Sequence, residues 1–313
     1  MSKPMKVMRI KRMNPQTYRT QQRAKYLALG LIAVSVVSMI LIGTGIVVLD
    51  IMRVSHTEDE PAVTGNARNF TEEHALAYVF ITVSSEDKTL ADTFTLVKFT
   101  PRYKGVVIAT LPKETAVQNG NWHGTLASAM QQKDAAFAVE CLSEYLNYNL
   151  NGYAIADDIT IQNLIDLFNG ITLSIPEDLI APANGNILYA KGVRNLIGSQ
   201  TLDVIKYTGW SEKLERYTTV SKIHAALINE NLSGGDGDRY TKYFNQIHNV
   251  LRGQTDISSV TFERAKEGIL FISTLNQSGV CKIIPVNGTF AEDGSFVCDK
   301  ATLTELKTYF KVD

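Results

Sequence analysis

Between Tyr26 and Leu49 the chain runs YLALGLIAVSVVSMILIGTGIVVL, 24 residues without a charge. At ~1.5 Å per residue a helix of this length crosses the ~30 Å hydrocarbon core of a bilayer with room for tilt. A cleaved signal peptide is the competing reading, but its apolar region covers only ~7–15 residues and ends at a small-residue site. Leu49-Asp50-Ile51-Met52-Arg53 offers no such site. Residues 1–25 carry eight Lys or Arg and no acid, and positive flanks stay on the cytoplasmic side. The expectation is therefore an uncleaved single-pass anchor in the cell membrane, with the tail 1–25 inside, the span over 26–49 and all later residues outside. Nucleic acid could also attract such a tail. Membrane topology accounts for it more economically, and no nucleic-acid partner is expected.

The formal charge of −1 conceals this asymmetry. Without the eight basic tail residues the remainder holds 23 basic against 32 acidic side chains, a balance near −9. Residues 50–74 contain acids, Pro and Gly without hydrophobic periodicity and read as a stalk. From there on, apolar runs rich in Val, Ile, Phe and Thr predict strands over 77–83, 92–99 and 105–111. The turn TPRYKG makes the last two an antiparallel pair. Helical spacing of Phe137, Ala138, Cys141, Leu142 and Tyr145 predicts a helix over 134–148 capped by Asp134. Strand 152–157, helix 158–170 and strand 171–176 then form an α/β unit. Further helices are expected over 199–209, from Glu212 to Asn229 and up to Gly253, with a loop over 230–238. CKIIPV-NGTFAEDG-SFVCD, 281–299, has the pattern of a hairpin before a terminal helix from Thr302. The fold class is α/β: one domain, 75–313, with a mixed central sheet and helices on both faces, preceded by one transmembrane helix.

Common catalytic signatures are absent: no G-x-S-x-G, no G-x-x-x-x-G-K-[ST] and no H-E-x-x-H. Gly234-Gly235-Asp236-Gly237-Asp238 resembles the start of a calcium loop but lacks the later ligands, so it reads as a turn. Of the three cysteines, Cys281 and Cys298 are numbered symmetrically about a turn near 288–290. That would set them opposite each other, able to pair outside the cell, with two free thiols as the alternative. Cys141 falls on an apolar helix face as a buried thiol.

The order of segments resembles the LytR-CpsA-Psr family. ADTFTLVKFTPRYKGVVIATLPKET corresponds to its strand beginning Arg-Ser-Asp-Thr and its next strand ending Ser-Ile-Pro-Arg-Asp-Thr. YAIADDITIQNLIDLFNGITLSIP, GSQTLDVIKY and ERYTTVSKIHAAL follow in the family's order, so the likeness covers about residue 75 to the end. Such proteins, once called cell-envelope transcriptional attenuators, act outside the membrane of Gram-positive bacteria. They move polyprenyl-pyrophosphate-linked glycopolymers onto peptidoglycan, with magnesium on the pyrophosphate. The resemblance implies a metal-binding Asp92 and pyrophosphate-facing Lys113, Lys206 and Arg216. The lipid chain would lie in an apolar cavity walled by strands 92–99 and 105–111 and helices 134–148 and 158–169.

Several family positions differ here. Leu90 stands where the family has the arginine two before the aspartate, and Lys113-Glu114 replaces Arg-Asp. Lys206 and Thr208 take the place of a paired Arg-x-Arg, and Thr219 that of a second helical arginine, the first being Arg216. Lysine keeps the charge but loses the planar fork that grips phosphate oxygens in pairs. Two readings follow. One is a lipid-phosphate-binding cell-envelope protein with reduced or no transferase activity, acting in cell wall biogenesis or its regulation. The other is an active but atypical glycopolymer–peptidoglycan transferase. An anchored domain without a lipid ligand is a third.

Overall fold

The computed structural model describes residues 70–311, apart from 233, 235 and 276–278. The apolar run Tyr26–Leu49 and most of the stalk lie outside the described residues. Among the described residues no helix is long and apolar enough to cross a membrane.

Five strands make the central sheet: β1 (Leu76–Val83), β2 (Ala91–Thr100), β3 (Gly105–Pro112), β6 (Gly152–Ala156) and β11 (Cys281–Ile283). Their order is β11-β3-β2-β1-β6. β2 runs antiparallel to both neighbours, while β1 and β6 pair in parallel, as do β3 and β11. Four strands therefore point one way, and their C-terminal ends share one edge of the domain with the start of β2. The expected mixed sheet and the β2–β3 hairpin are present.

Both faces of the sheet are covered, which is why its strands are nearly continuous apolar runs rather than alternating ones. One face carries Val79, Ile81, Phe94 and Leu96, all fully buried. It packs on α1 (Leu126–Gln132), α2 (Ala135–Leu146) and α8 (Lys300–Tyr309). Asp134 caps α2 through the Phe137 N–H at 2.8 Å, as the sequence predicts. The opposite face, with Tyr78, Phe80 and Thr82, meets α3 (Asp158–Leu167), α5 (Glu215–Asn231), α6 (Gly237–Leu251) and α7 (Ser259–Ser273). Asp157 caps α3, accepting the Thr160 N–H at 2.9 Å. Beside this face, β7 (Ile171–Ile175) pairs with β10 (Gly192–Leu196) and packs on α4 (Gly198–Lys206). Gly198 lets α4 press against α3, since a Cβ there would lie 2.4 Å from the Gln162 carbonyl oxygen.

Buried polarity is concentrated in two places. A ladder of hydroxyls joins Thr95 to Thr110 at 3.1 Å and Thr110 to Ser221 at 2.8 Å, fastening α5 to the sheet. On the other face Lys98 is wholly buried, yet its ammonium lies 3.2 Å from Glu72 and over the Tyr148 ring. The Tyr148 hydroxyl also donates to Glu72, at 2.9 Å.

Several sequence expectations need correction. Residues 281–299 are not one hairpin. β11 joins the central sheet, and the hairpin is the shorter β12 (Gly288–Phe290) with β13 (Phe296–Cys298). Cys298 thus faces Gly288, Cys281 pairs with Val106, and all three cysteines are free thiols. α4 starts at Gly198, with Ile197 at its cap, and ends at Lys206, short of the expected 209. The predicted loop 230–238 is shorter, because α5 continues to Asn231 and α6 begins at Gly237 with Asp236 as its cap. Helix α7, helix α1 and the hairpin β4 (Ala116–Asn119) with β5 (Trp122–Thr125) have no counterpart in the sequence reading.

Candidate functional site

Strand ends gather the charged groups. Asp92 is the second residue of β2 and Arg216 the second of α5. The Arg216 guanidinium donates to both Asp92 oxygens, one at 3.1 Å, in a bidentate fork. Its Nε donates to the Ile205 carbonyl at 2.9 Å. One side chain thereby ties together the start of β2, the end of α4 and the start of α5. Arg216 is 15% exposed and Asp92 29%, so this pair is screened less than a surface ion pair would be.

Lys206 closes α4 next to Ile205. Its ammonium lies 2.5 Å from Asp158, the first residue of α3, and is nearly half exposed. The second Asp158 oxygen is buried and has no hydrogen-bond partner among the described residues. Lys113 follows β3 in a turn fixed by Thr115, which bonds the Pro112 carbonyl through its N–H at 3.0 Å and its hydroxyl at 2.6 Å. Lys113 is half-buried, and its ammonium has no hydrogen-bond or ion-pair partner among the described residues. The four residues expected from the sequence thus share one edge of the domain. Asp92 and Arg216 touch; Lys206 adjoins them through Ile205; Lys113 forms no hydrogen bond or ion pair with the three among the described residues, although the Thr93–Pro112 register brings it alongside Asp92.

Two neighbours were not singled out from the sequence as part of the site. Glu114 places its Oε2 in the interior without a hydrogen-bond partner among the described residues. Tyr217 feels that carboxylate: burial first, then Glu114, raise its hydroxyl to about 12, and Arg216 opposes the rise. Tyr217 has the spacing of a core residue, so nothing in its pattern distinguished it. No three His, Cys, Asp or Glu side chains gather around one point among the described residues. Asp92 already holds Arg216 with both oxygens, and Glu114 Oε2 is open. This is no all-protein metal cage. A magnesium ion here would have to take one or two carboxylate oxygens and complete its shell with phosphate and water.

Behind this edge, between the sheet and α3, α5 and α6, lies an apolar cavity of about 240 Å3. Tyr78, Phe80, Ile165, Ile223, Leu227 and Phe244 line it, together with His224. It reaches the charged edge through Thr82, whose hydroxyl lies 2.8 Å from that of Thr93, and through Ile205, whose carbonyl holds Arg216. Of the walls expected from the sequence, only Phe99 of strand 92–99 and helix α3 contribute. Strand 105–111 and helix α2 do not, since α2 covers the other face. The His224 ring stands edge-on to Phe80 at 5.0 Å and has no hydrogen-bond partner among the described residues. Burial lowers its pKa to about 4.

No family model and no curated protein matches the chain. Solved structures do. A candidate transcription regulator from Eubacterium siraeum superposes with a TM-score of 0.67 at 16% identity, covering 81% of this chain and 98% of that one. TagT of B. subtilis bound to LI-WTA, a lipid-linked wall teichoic acid, gives 0.60 at 14% identity over 82% of this chain and 98% of that one. The LytR-CPS2A-psr family protein YwtF (TagT) with bound octaprenyl pyrophosphate gives 0.56 at 14% identity over the same shares. At such identities the likeness is one of fold, and it spans about four fifths of the chain. The chain has the LytR-CpsA-Psr fold.

Proposed function

We propose that this chain is a single-pass cell-membrane protein of the Gram-positive envelope. Its external domain binds polyprenyl-phosphate- or pyrophosphate-linked glycopolymer precursors with reduced or no transferase activity, in cell wall biogenesis or its regulation. The observation that carries this reading is the apolar cavity ending beside a cluster of cations. An isoprenoid chain gains by burial in the cavity without help from charges, and a phosphate at its end would meet Lys113, whose ammonium has no other partner among the described residues. Structures of the same fold hold octaprenyl pyrophosphate and lipid-linked wall teichoic acid, which supports the ligand class.

Weak turnover follows from the cations. Leu90 is 47% exposed and uncharged, Thr208 is exposed, and Thr219 is buried against Glu215. None replaces an arginine fork. Arg216, the one fork present, is held by Asp92 and the Ile205 carbonyl. Each missing donor to transition-state charge costs ~2–4 kcal/mol, and three such losses slow transfer by many orders of magnitude. Magnesium on the pyrophosphate would neutralise phosphate charge, with Asp92 and Glu114 as the carboxylates at hand. The active-transferase reading keeps the support of the Asp92–Arg216 pair.

The deciding experiment titrates the full-length chain, in detergent micelles, with a polyprenyl pyrophosphate and then with peptidoglycan and magnesium. Binding that weakens with salt, and by about tenfold or more in Lys113→Ala, is expected without appreciable transfer. Rapid magnesium-dependent transfer would establish the alternative. Absence of any binding would dispose of both.

A further inference from the structure

On the opposite side of the sheet from the apolar cavity, an open recess of about 650 Å3 lies between β4, β5, α2, the β12–β13 turn and α8. We propose that this recess is a second substrate site, one that takes a neutral sugar chain. It begins at Ala116, two residues beyond Glu114, and β13 is fastened there by the Phe296 N–H to the Glu114 carbonyl at 2.8 Å. The recess therefore opens from the same edge that holds Lys113.

Its chemistry excludes most other ligands. Gln118, His123, Glu144, Asp293, Ser295 and Lys307 set polar groups among apolar surface from Val117, Tyr145 and Leu303, a mixture that matches the hydroxyls and C–H faces of sugar rings better than an acyl chain. Two carboxylates against one lysine leave only a small negative excess, the wrong sign for a polyanion and too little to hold a polycation. The carboxylates are also fixed in place before any ligand arrives. Glu144 accepts the Gly120 N–H at 3.2 Å and the Gln118 amide at 3.4 Å. Asp293 accepts the Ser295 N–H at 2.9 Å and hydroxyl at 2.7 Å on one oxygen, leaving the other open. Each carboxylate has further acceptor capacity. Fixed acceptors beside amide and hydroxyl groups are what adjacent sugar hydroxyls bind. Tyr145, whose hydroxyl engages the Cys298 thiol, adds an aromatic ring. The volume lies within the ~300–1,000 Å3 usual for ligand sites.

The proposal rests on the function above, in which a lipid-linked glycan and an acceptor glycan both need a place. It assigns them this recess, with the lipid on the other face. Titration calorimetry of the full-length chain in micelles with a chitin tetrasaccharide tests it. Millimolar or tighter binding, insensitive to salt, is expected, with about a tenfold loss in Gln118→Ala/Asp293→Ala. An unchanged melting temperature would confirm that the variant is folded. No binding up to about 10 mM, or binding that a folded double variant retains, would overturn the site. Polyprenyl pyrophosphate titrated on the same samples separates the two ideas. Sugar binding that survives where lipid binding is absent leaves the recess standing and removes the lipid reading; the reverse removes the recess alone. With a polyprenyl-linked sugar already bound, competition identifies the recess as the donor's, and simultaneous binding identifies it as the acceptor's.

Discussion

His224 faces an apolar cavity as a neutral imidazole, its pKa lowered by burial from 6.5 to about 4. The unfolded chain titrates near the higher value. Between the two the unfolded state holds a proton that the folded state does not, so stability is full above about pH 6.5 and falls as pH drops towards 4. The whole effect is about 3 kcal/mol at most, by linkage. Denaturant unfolding at several pH values from 4 to 7 is expected to show this loss, and His224→Phe to flatten it. An equal slope in the variant would place the effect elsewhere. The site residues differ in how far sequence could reveal them. Asp92, Lys113, Lys206 and Arg216 stand in the family's order of motifs and do reach one edge. Their pairings were not legible, because Arg216 meets Asp92 across 124 positions of sequence. The open Glu114 oxygen depends on what surrounds it in space, and no local pattern records that.

Elements with strong periodicity matched the structure closely: β1, β2, β3, α2 and α3 all lie within a few residues of their predicted ranges. β11 did not. It is three residues long and acquires its identity from β3, some 175 positions earlier, so local turn residues suggested a hairpin instead. The pairing of Cys281 with Cys298 failed for the same reason. Cys281 sits on a sheet edge beside Val106, whereas Cys298 lies on the β12–β13 hairpin. Thiol labelling of the unfolded, unreduced protein is therefore expected to count three reactive cysteines; one would restore the disulfide. In the folded protein Cys141 should react slowly, because burial and then Glu140 and Glu144 push its thiol up to about 11 and leave little thiolate.

At the scale of the molecule, the charge pattern of the first 49 residues sets the expected topology. Protease added to intact cells should digest the chain beyond about residue 50 and leave the basic tail protected. A mature protein lacking Tyr26–Leu49 would contradict this. The limits of the folded domain are a separate matter, and sequence patterning placed the start at 75, just before the first strand. Lys98 moves it. That ammonium is enclosed by the core, and its carboxylate comes from Glu72, ahead of β1. A fragment trimmed to 75 keeps every strand and α-helix yet loses the 3-10 turn 72–74 and, with it, the Glu72 carboxylate beside the buried Lys98 ammonium. The usable beginning of this domain is set by a contact made ahead of the first strand, where Glu72 meets Lys98 and Tyr148, and a fragment starting before Glu72 should melt above one starting after it.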